Sequence, residues 1–247
     1  MLLWFRSFNR RRRVAKFERK NGSRYTFRSI SVDIPKDVSF DLKNALLREK
    51  YETEECTFIE RYLSPAMDVI ELGGSIGVLS AFTRSRLEPN TRQIVVEANP
   101  DIAEICRRNI APYDTMGTSK VIQAAVSYSE KDSITFFTGE NPHVGRIGGT
   151  GQGGKQIEVP VTRLEDICAE NGIDRFALIC DIEGAEVELI EKSALWKTHC
   201  ALIILETHPG FYADGTHTQN DLVAKILAAG FRQLDAQRGV YAFGRSA

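Results

Sequence analysis

The segment from Phe176 to Ile190, FALICDIEGAEVELI, reads as a core strand followed at once by Asp181, Glu183, Gly184 and Glu186. Carboxylates at a strand end can orient a polar ligand, move a proton or cap the next element. The helical pattern that follows predicts Val187, Ile190 and Ala194 on a buried face, with Glu186, Glu188 and Glu191 toward water. Glu186 suits the first turn of that helix, where the dipole favours negative charge. Asp181 and Glu183 are expected instead to face a ligand crevice at the carboxyl edge of a parallel sheet. His208, in ETHPG beyond a later strand, is the preferred general base, because an unperturbed imidazole titrates near neutrality; a strand-end cap is the alternative. Glu206, Asp181 and Glu183 are the other groups able to orient a reactant or take its proton. No Cys, His, Asp and Glu cluster shows metal-ligand spacing, so no metal is expected.

A second chemical feature lies earlier, in VIELGGSIGVLS. Glu71 ends a strand, Gly73, Gly74 and Gly77 form a turn around Ser75, and an apolar helix follows. Glycines allow positive φ and close approach of a ligand to the backbone, so a nucleotide-like molecule would fit there; a tight turn without a ligand is the bland reading. The next strand, IVVEANP, also ends in an acid, Glu97, delivered beside the turn by a right-handed crossover. A carboxylate there can accept hydrogen bonds from ribose hydroxyls.

These residues need a frame, and the chain supplies one. From Ser64 onward short β-rich runs alternate with helical stretches, which predicts βαβ units. The fold expected is α/β, a doubly wound, mostly parallel sheet. Residues 1–63 are read as a basic, helical extension and 64–247 as the Rossmann-like domain. GENPHVGRIGGTGQGGKQ, residues 139–156, is a glycine-rich loop whose sharper reading is a lid carrying His143, and whose plainer reading is a surface loop.

Composition narrows the classes further. With 43% hydrophobic and 26% charged residues the chain is ordinarily globular. Net charge is −1, yet residues 1–28 hold ten Arg and Lys against Glu18 alone, a surplus of +9, so the remainder is about −10. The run NRRRRVAKFERK is read mainly as a solvated helix start, with contact to nucleic acid or an anionic surface as the secondary possibility. Five separated cysteines suggest core thiols in a reducing compartment, and the short apolar opening suggests neither a bilayer span nor a signal core. A cytoplasmic protein is expected.

The glycine spacing departs from the dinucleotide fingerprint G-x-G-x-x-G, since Leu72 stands where its first glycine belongs. E-x-G-x-x-x-G, followed by an acid ending the second strand, resembles the S-adenosylmethionine-dependent methyltransferases of the seven-stranded Rossmann-like class. The resemblance implies S-adenosyl-L-methionine as cofactor, its amino acid end against Glu71, Gly73, Gly74, Ser75 and Gly77. It implies that Glu97, with Ala98, binds the ribose, and that Gln123 and Ala124 lie near the adenine, with Asp181 also facing the cofactor. Within that class LICDIEGAEVELI is similar to the FkbM family hallmark, a strand ending in D-x-E-G-x-E. VPVTRLEDIC looks like the strand and helix before it, and IILETHP corresponds to the acid and histidine ending the fifth strand. ELGGSIG stands where the family often has VGANIG, and the first sixty residues fall outside the shared pattern. The resemblance implies O-methylation of a sugar, polyketide or other small hydroxylated acceptor. The competing classes are a nucleic-acid methylase or RNA-binding protein using the basic N-terminus, and an NAD(P)-dependent oxidoreductase, which the glycine pattern disfavours.

Overall fold

The computed structural model describes residues 2–138, 145–147, 155–212 and 217–245. His143 and most of the expected lid lie outside the described residues. The chain divides into two compact units, Met1–Thr53 and Glu54–Ala247. The helix Thr53–Tyr62 therefore falls almost wholly in the larger unit.

In the smaller unit a helix, Leu2–Asn21, precedes an antiparallel hairpin of Arg24–Phe27 and Ile30–Asp33, and a second helix spans Phe40–Leu46. A basic, helical extension is expected there, and beside its helices the unit contains this hairpin. It forms because Tyr25, Phe27, Ile30 and Val32 alternate with polar residues and are all buried. Part of the basic run is partnered within the unit: Arg10 pairs with Asp41 at 2.7 Å and Arg13 donates to Asn44 at 2.8 Å.

In the larger unit the seven strands of the main sheet are β1 (Asp68–Leu72), β2 (Gln93–Glu97), β3 (Ser119–Gln123), β4 (Phe176–Cys180), β5 (Cys200–Glu206), β6 (Arg232–Gln237) and β7 (Val240–Gly244). Their spatial order is 6-7-5-4-1-2-3. Strands β1 to β5 run parallel, and β7 pairs antiparallel with both β5 and β6. Helices α1 (Val78–Arg84) and α2 (Pro100–Ile110) connect β1 to β2 and β2 to β3. Helix α3 (Leu164–Asn171) leads to β4, and α4 (Glu186–Lys192) with α5 (Leu195–His199) joins β4 to β5. A smaller sheet built on Ser133–Thr138 and Gln156–Thr162 stands between β3 and α3.

All five residues of β4 are buried, as expected of a central parallel strand covered on both faces. Its larger side chains, Phe176, Leu178 and Ile179, each contribute about 1.5–3 kcal/mol relative to exposure. The chain leaves β1 toward β2 on one side, while β4 returns to its other side. That reversal opens the crevice at the carboxyl ends of β1 and β4. Among the described residues no helix is long and apolar enough to cross a membrane.

Candidate functional site

The registers of the parallel strands decide which residues meet. Leu72 of β1 pairs with Val96 of β2 and with Cys180 of β4, Cys180 pairs with Leu205 of β5, and Glu97 pairs with Gln123. One step further along each strand, Gln123, Glu97, Gly73, Asp181 and Glu206 form a single row across the carboxyl edge. Five of the sequence-predicted site residues are thus brought together by register.

The turn after β1 is held tightly. Gly73 and Gly74 both donate their N–H to the Val96 carbonyl, at 2.9 and 3.0 Å, and Gly77 donates to the Gly74 carbonyl at 2.9 Å. Gly73 has φ +92°, and a Cβ there would overlap the carbonyl oxygen of Asp181 and stand 2.8 Å from its carbon. At Gly77, φ +78°, a Cβ would lie 2.8 Å from Cα of Cys106 in α2. Even Ser75 adopts a left-handed φ of +45°.

Glu97 closes this turn with its side chain. Its Oε2 accepts the Ser75 N–H at 2.8 Å and its Oε1 accepts the Asn99 N–H at 2.8 Å. Burial raises the Glu97 pKa, against the lowering effect of backbone donors at Asn99, Ser75 and Ala98. Beside it Gln123 donates to the Ala98 carbonyl at 2.8 Å, and the buried Ala124 donates its N–H to the Glu97 carbonyl at 3.1 Å.

Glu71 does not join the edge. It lies wholly inside, where Ser80 donates to its Oε1 at 2.6 Å and Gln93 to its Oε2 at 3.3 Å. One residue short of the strand end, its side chain braces α1 against the sheet; this corrects its expected place beside a cofactor. Burial raises its pKa to about 7, against the opposing hydrogen bonds from Ser80 and Gln93. The folded state therefore binds a proton that the unfolded chain releases near pH 4.5, so the contribution of Glu71 to stability is fully present below that pH and is lost as pH rises through about 7. The shift corresponds to a loss on the order of 3 kcal/mol. Urea denaturation at pH 5 and pH 8 should show this loss in the wild type and a flatter profile in Glu71→Gln; equal slopes in both would refute it.

On the other side of the crevice the acids gather around His208. Its Nδ1 lies 2.8 Å from Glu186 Oε1, and its Nε2 lies 3.5 Å from Asp181 Oδ1 and 3.8 Å from Glu206 Oε1. Burial alone would lower the His208 pKa, but the Glu186 hydrogen bond and the charges of Asp181, Glu186 and Glu183 carry it up to about 9. An imidazole so held is largely protonated at neutral pH unless another cation intervenes, which removes the reason for preferring it as general base. Burial, then Glu206, pushes the Asp181 carboxyl well above its usual range, with His208 opposing. Glu206 is raised by burial as well, again against His208. Glu183 stands at the exit of β4 with a left-handed φ of +49°.

Glu186 also departs from its expected place. Of the three acids expected toward water, Glu191 is exposed and Glu188 half-buried, but Glu186 is fully buried and accepts the Gly184 N–H at 3.1 Å, and Ala194, expected inside, is exposed. The buried apolar residues of α4 are Leu189 and Ile190. Glu55, from the helix before β1, is a further acid of this region that sequence reasoning did not mark. Burial raises its pKa to about 7, with Glu206 and Glu54 adding to the rise. The only sequence signal for Glu186 was its place in the D-x-E-G-x-E pattern, and Glu55 had none.

Residues 71–233, about two thirds of the chain, match the Methyltransferase FkbM domain. The chain belongs to the FkbM methyltransferase family. The matched span of this FkbM methyltransferase runs from the end of β1 to the start of β6 and includes every residue of the row. No curated protein matches the chain. Among solved structures it is similar to a precorrin-6y C5,15-methyltransferase from Geobacter metallireducens, with 15% identity over 79% of this chain and 89% of that one, TM-score 0.45. It is also similar to an O-methyltransferase family protein from Burkholderia thailandensis, with 13% identity over 80% and 57% of the two chains, TM-score 0.44. Likeness this distant identifies no activity, and the family assignment of this FkbM methyltransferase stands on the domain match.

Proposed function

We propose that the chain transfers the methyl group of S-adenosyl-L-methionine to a hydroxyl oxygen of a small acceptor, a sugar or polyketide being the expected classes. One observation carries the cofactor class. The N–H groups of Gly73, Gly74, Ser75 and Gly77 are all taken within the protein, and the edge they face carries Glu97, Asp181 and Glu206. A pyrophosphate is held by free turn donors and positive potential, whereas these four donors are occupied and the edge carries carboxylates. A ligand with a cationic sulfonium and ammonium, and a neutral ribose, suits it.

The residues fit that group. Gly73 lets the turn pack directly against the Asp181 backbone, so the two strand ends meet without an intervening side chain, and the Glu97 oxygens retain lone pairs able to accept from ribose hydroxyls. Ala98, Gln123 and Ala124 form the neighbouring wall for the adenine. Asp181, Glu183, Glu206 and His208 lie on the acceptor side. When bound, the cofactor supplies an electrophilic methyl carbon. As the acceptor oxygen forms its bond to that carbon, the carbon–sulfur bond breaks with its electron pair on sulfur, and the hydroxyl proton leaves to a carboxylate or to water.

The methyltransferase domain is proposed to be the larger unit, with the N-terminal unit an extension. Internal pairing of Arg10 and Arg13 supports a structural reading of the basic run over one in phosphate contact. Five buried free thiols support a reducing, cytoplasmic setting. Calorimetry with S-adenosylhomocysteine and with NADH tests the cofactor class: the thioether nucleoside should bind and NADH should not. The reverse result would overturn the proposal.

A further inference from the structure

We propose that Asp181, Glu206 and His208 bind a divalent metal ion at the carboxyl edge of β4 and β5. The role of the ion rests on the methyltransferase reading above, but its binding does not.

One donor atom from each of the three residues lies within 4.8 Å of the others. The separations of His208 Nε2 from Asp181 Oδ1 and Glu206 Oε1, 3.5 and 3.8 Å, exceed those of good hydrogen bonds, and Asp181 Oδ1 is buried with no hydrogen-bond partner. Donor atoms about 2.0–2.3 Å from a common ion stand roughly 3–4.5 Å apart, so the spacing suits ligands of one metal.

Glu186 supplies the independent observation. It is fully buried, it holds His208 Nδ1 at 2.8 Å, and its Oε2 has no partner. A carboxylate behind the remote nitrogen is what a metal-ligating histidine takes, because it keeps the proton on Nδ1 and turns the Nε2 lone pair outward. Nε2 faces two carboxylates; a proton on Nε2 balances their charge when no metal is bound, and a divalent ion can take the place of that proton. Glu54, Glu55 and Glu183 add negative charge nearby, and Arg238 offsets one of them by pairing with Glu54 at 3.1 Å. One imidazole with two carboxylates suits a hard or borderline divalent ion. With three protein ligands, positions remain open for an acceptor oxygen, whose hydroxyl would lose its proton to water more readily on the metal.

The test titrates chelator-treated full-length protein with Mn2+ and follows free Mn2+ by electron paramagnetic resonance, with S-adenosylhomocysteine calorimetry on the same samples. One Mn2+ per chain is expected. Asp181→Asn and Glu206→Gln should each weaken it at least tenfold, while Glu191→Gln, at a surface pair with Lys225, should not. Circular dichroism identifies any variant that has not folded; Glu206→Gln, half-exposed and isosteric, keeps the test decisive if Asp181→Asn fails. Protein that binds the nucleoside but no Mn2+, or binds Mn2+ equally in the two site variants, overturns the metal and leaves the methyltransferase reading intact. Site-dependent Mn2+ binding without nucleoside binding supports the metal and removes the cofactor reading.

Discussion

Gly73→Ala is expected to abolish S-adenosylhomocysteine binding and to destabilise the larger unit by about 4 kcal/mol or more. The added methyl would overlap the Asp181 carbonyl oxygen, which is backbone and cannot swing aside as a flexible side chain could. Relief requires moving β1 and β4 apart, yet the Asp181 N–H is bonded to the Leu72 carbonyl at 2.9 Å and the Gly73 N–H to the Val96 carbonyl at 2.9 Å. Any shift therefore strains three neighbouring strands, and the φ of +92° is unfavourable for alanine even without a clash. Gly117→Ala isolates the backbone effect: φ is +69° and nothing lies within 4 Å, so about 1 kcal/mol is expected. Urea denaturation and calorimetry on both variants measure the contrast. If Gly73→Ala behaved like Gly117→Ala and still bound the nucleoside, the close contact between the β1 turn and Asp181 would not exist as described.

The row that includes Gly73 was legible in the sequence because strand ends announce themselves. A buried apolar run in a parallel sheet stops where polar residues begin, and IVVEANP, VIELGG and FALICDI stop in register. What failed was direction at single residues. Glu71 and Glu186 look alike as acids beside glycines, but one braces α1 from within and the other turns inward to His208. Helical periodicity placed Val187, Ile190 and Ala194 on one buried face, whereas α4 ends at Lys192 and a second helix starts at Leu195, which leaves Ala194 outside both. The N-terminal hairpin was missed for a related reason. Its turn, Arg28-Ser29, lacks the Asn-Gly or Asp-Gly chemistry that marks hairpins, although Arg28 takes φ +50° there. The three proposed metal ligands sit at 181, 206 and 208, a spacing that matches no linear motif, and only adjacency of β4 and β5 brings them together.

Adjacency also gives Glu97 two tasks at once, which predicts an unusual response to its replacement. Both of its oxygens accept backbone N–H groups, from Ser75 and from Asn99, so the side chain holds the turn that the cofactor is proposed to lie against, and in that proposal it would also receive the ribose hydroxyls. Alanine would remove both contributions and leave two N–H donors without partners. Glutamine is no rescue: its NH2 group must face one of the two donors, so the turn is disturbed by a change that conserves shape. Glu97→Ala and Glu97→Gln are each expected to weaken S-adenosylhomocysteine binding about 100-fold, or about 3 kcal/mol, the scale of losing two charge-assisted hydrogen bonds. The raised Glu97 pKa adds a pH signature. Protonation converts one acceptor oxygen to a donor, so wild-type affinity should fall on acidification at a pH above the ordinary carboxylate range, whereas Glu97→Gln should show no such step. Calorimetry from pH 5 to pH 8 reads both effects. A Glu97→Ala protein that binds the nucleoside within threefold of wild type would place the ribose elsewhere and detach the glycine turn from cofactor recognition.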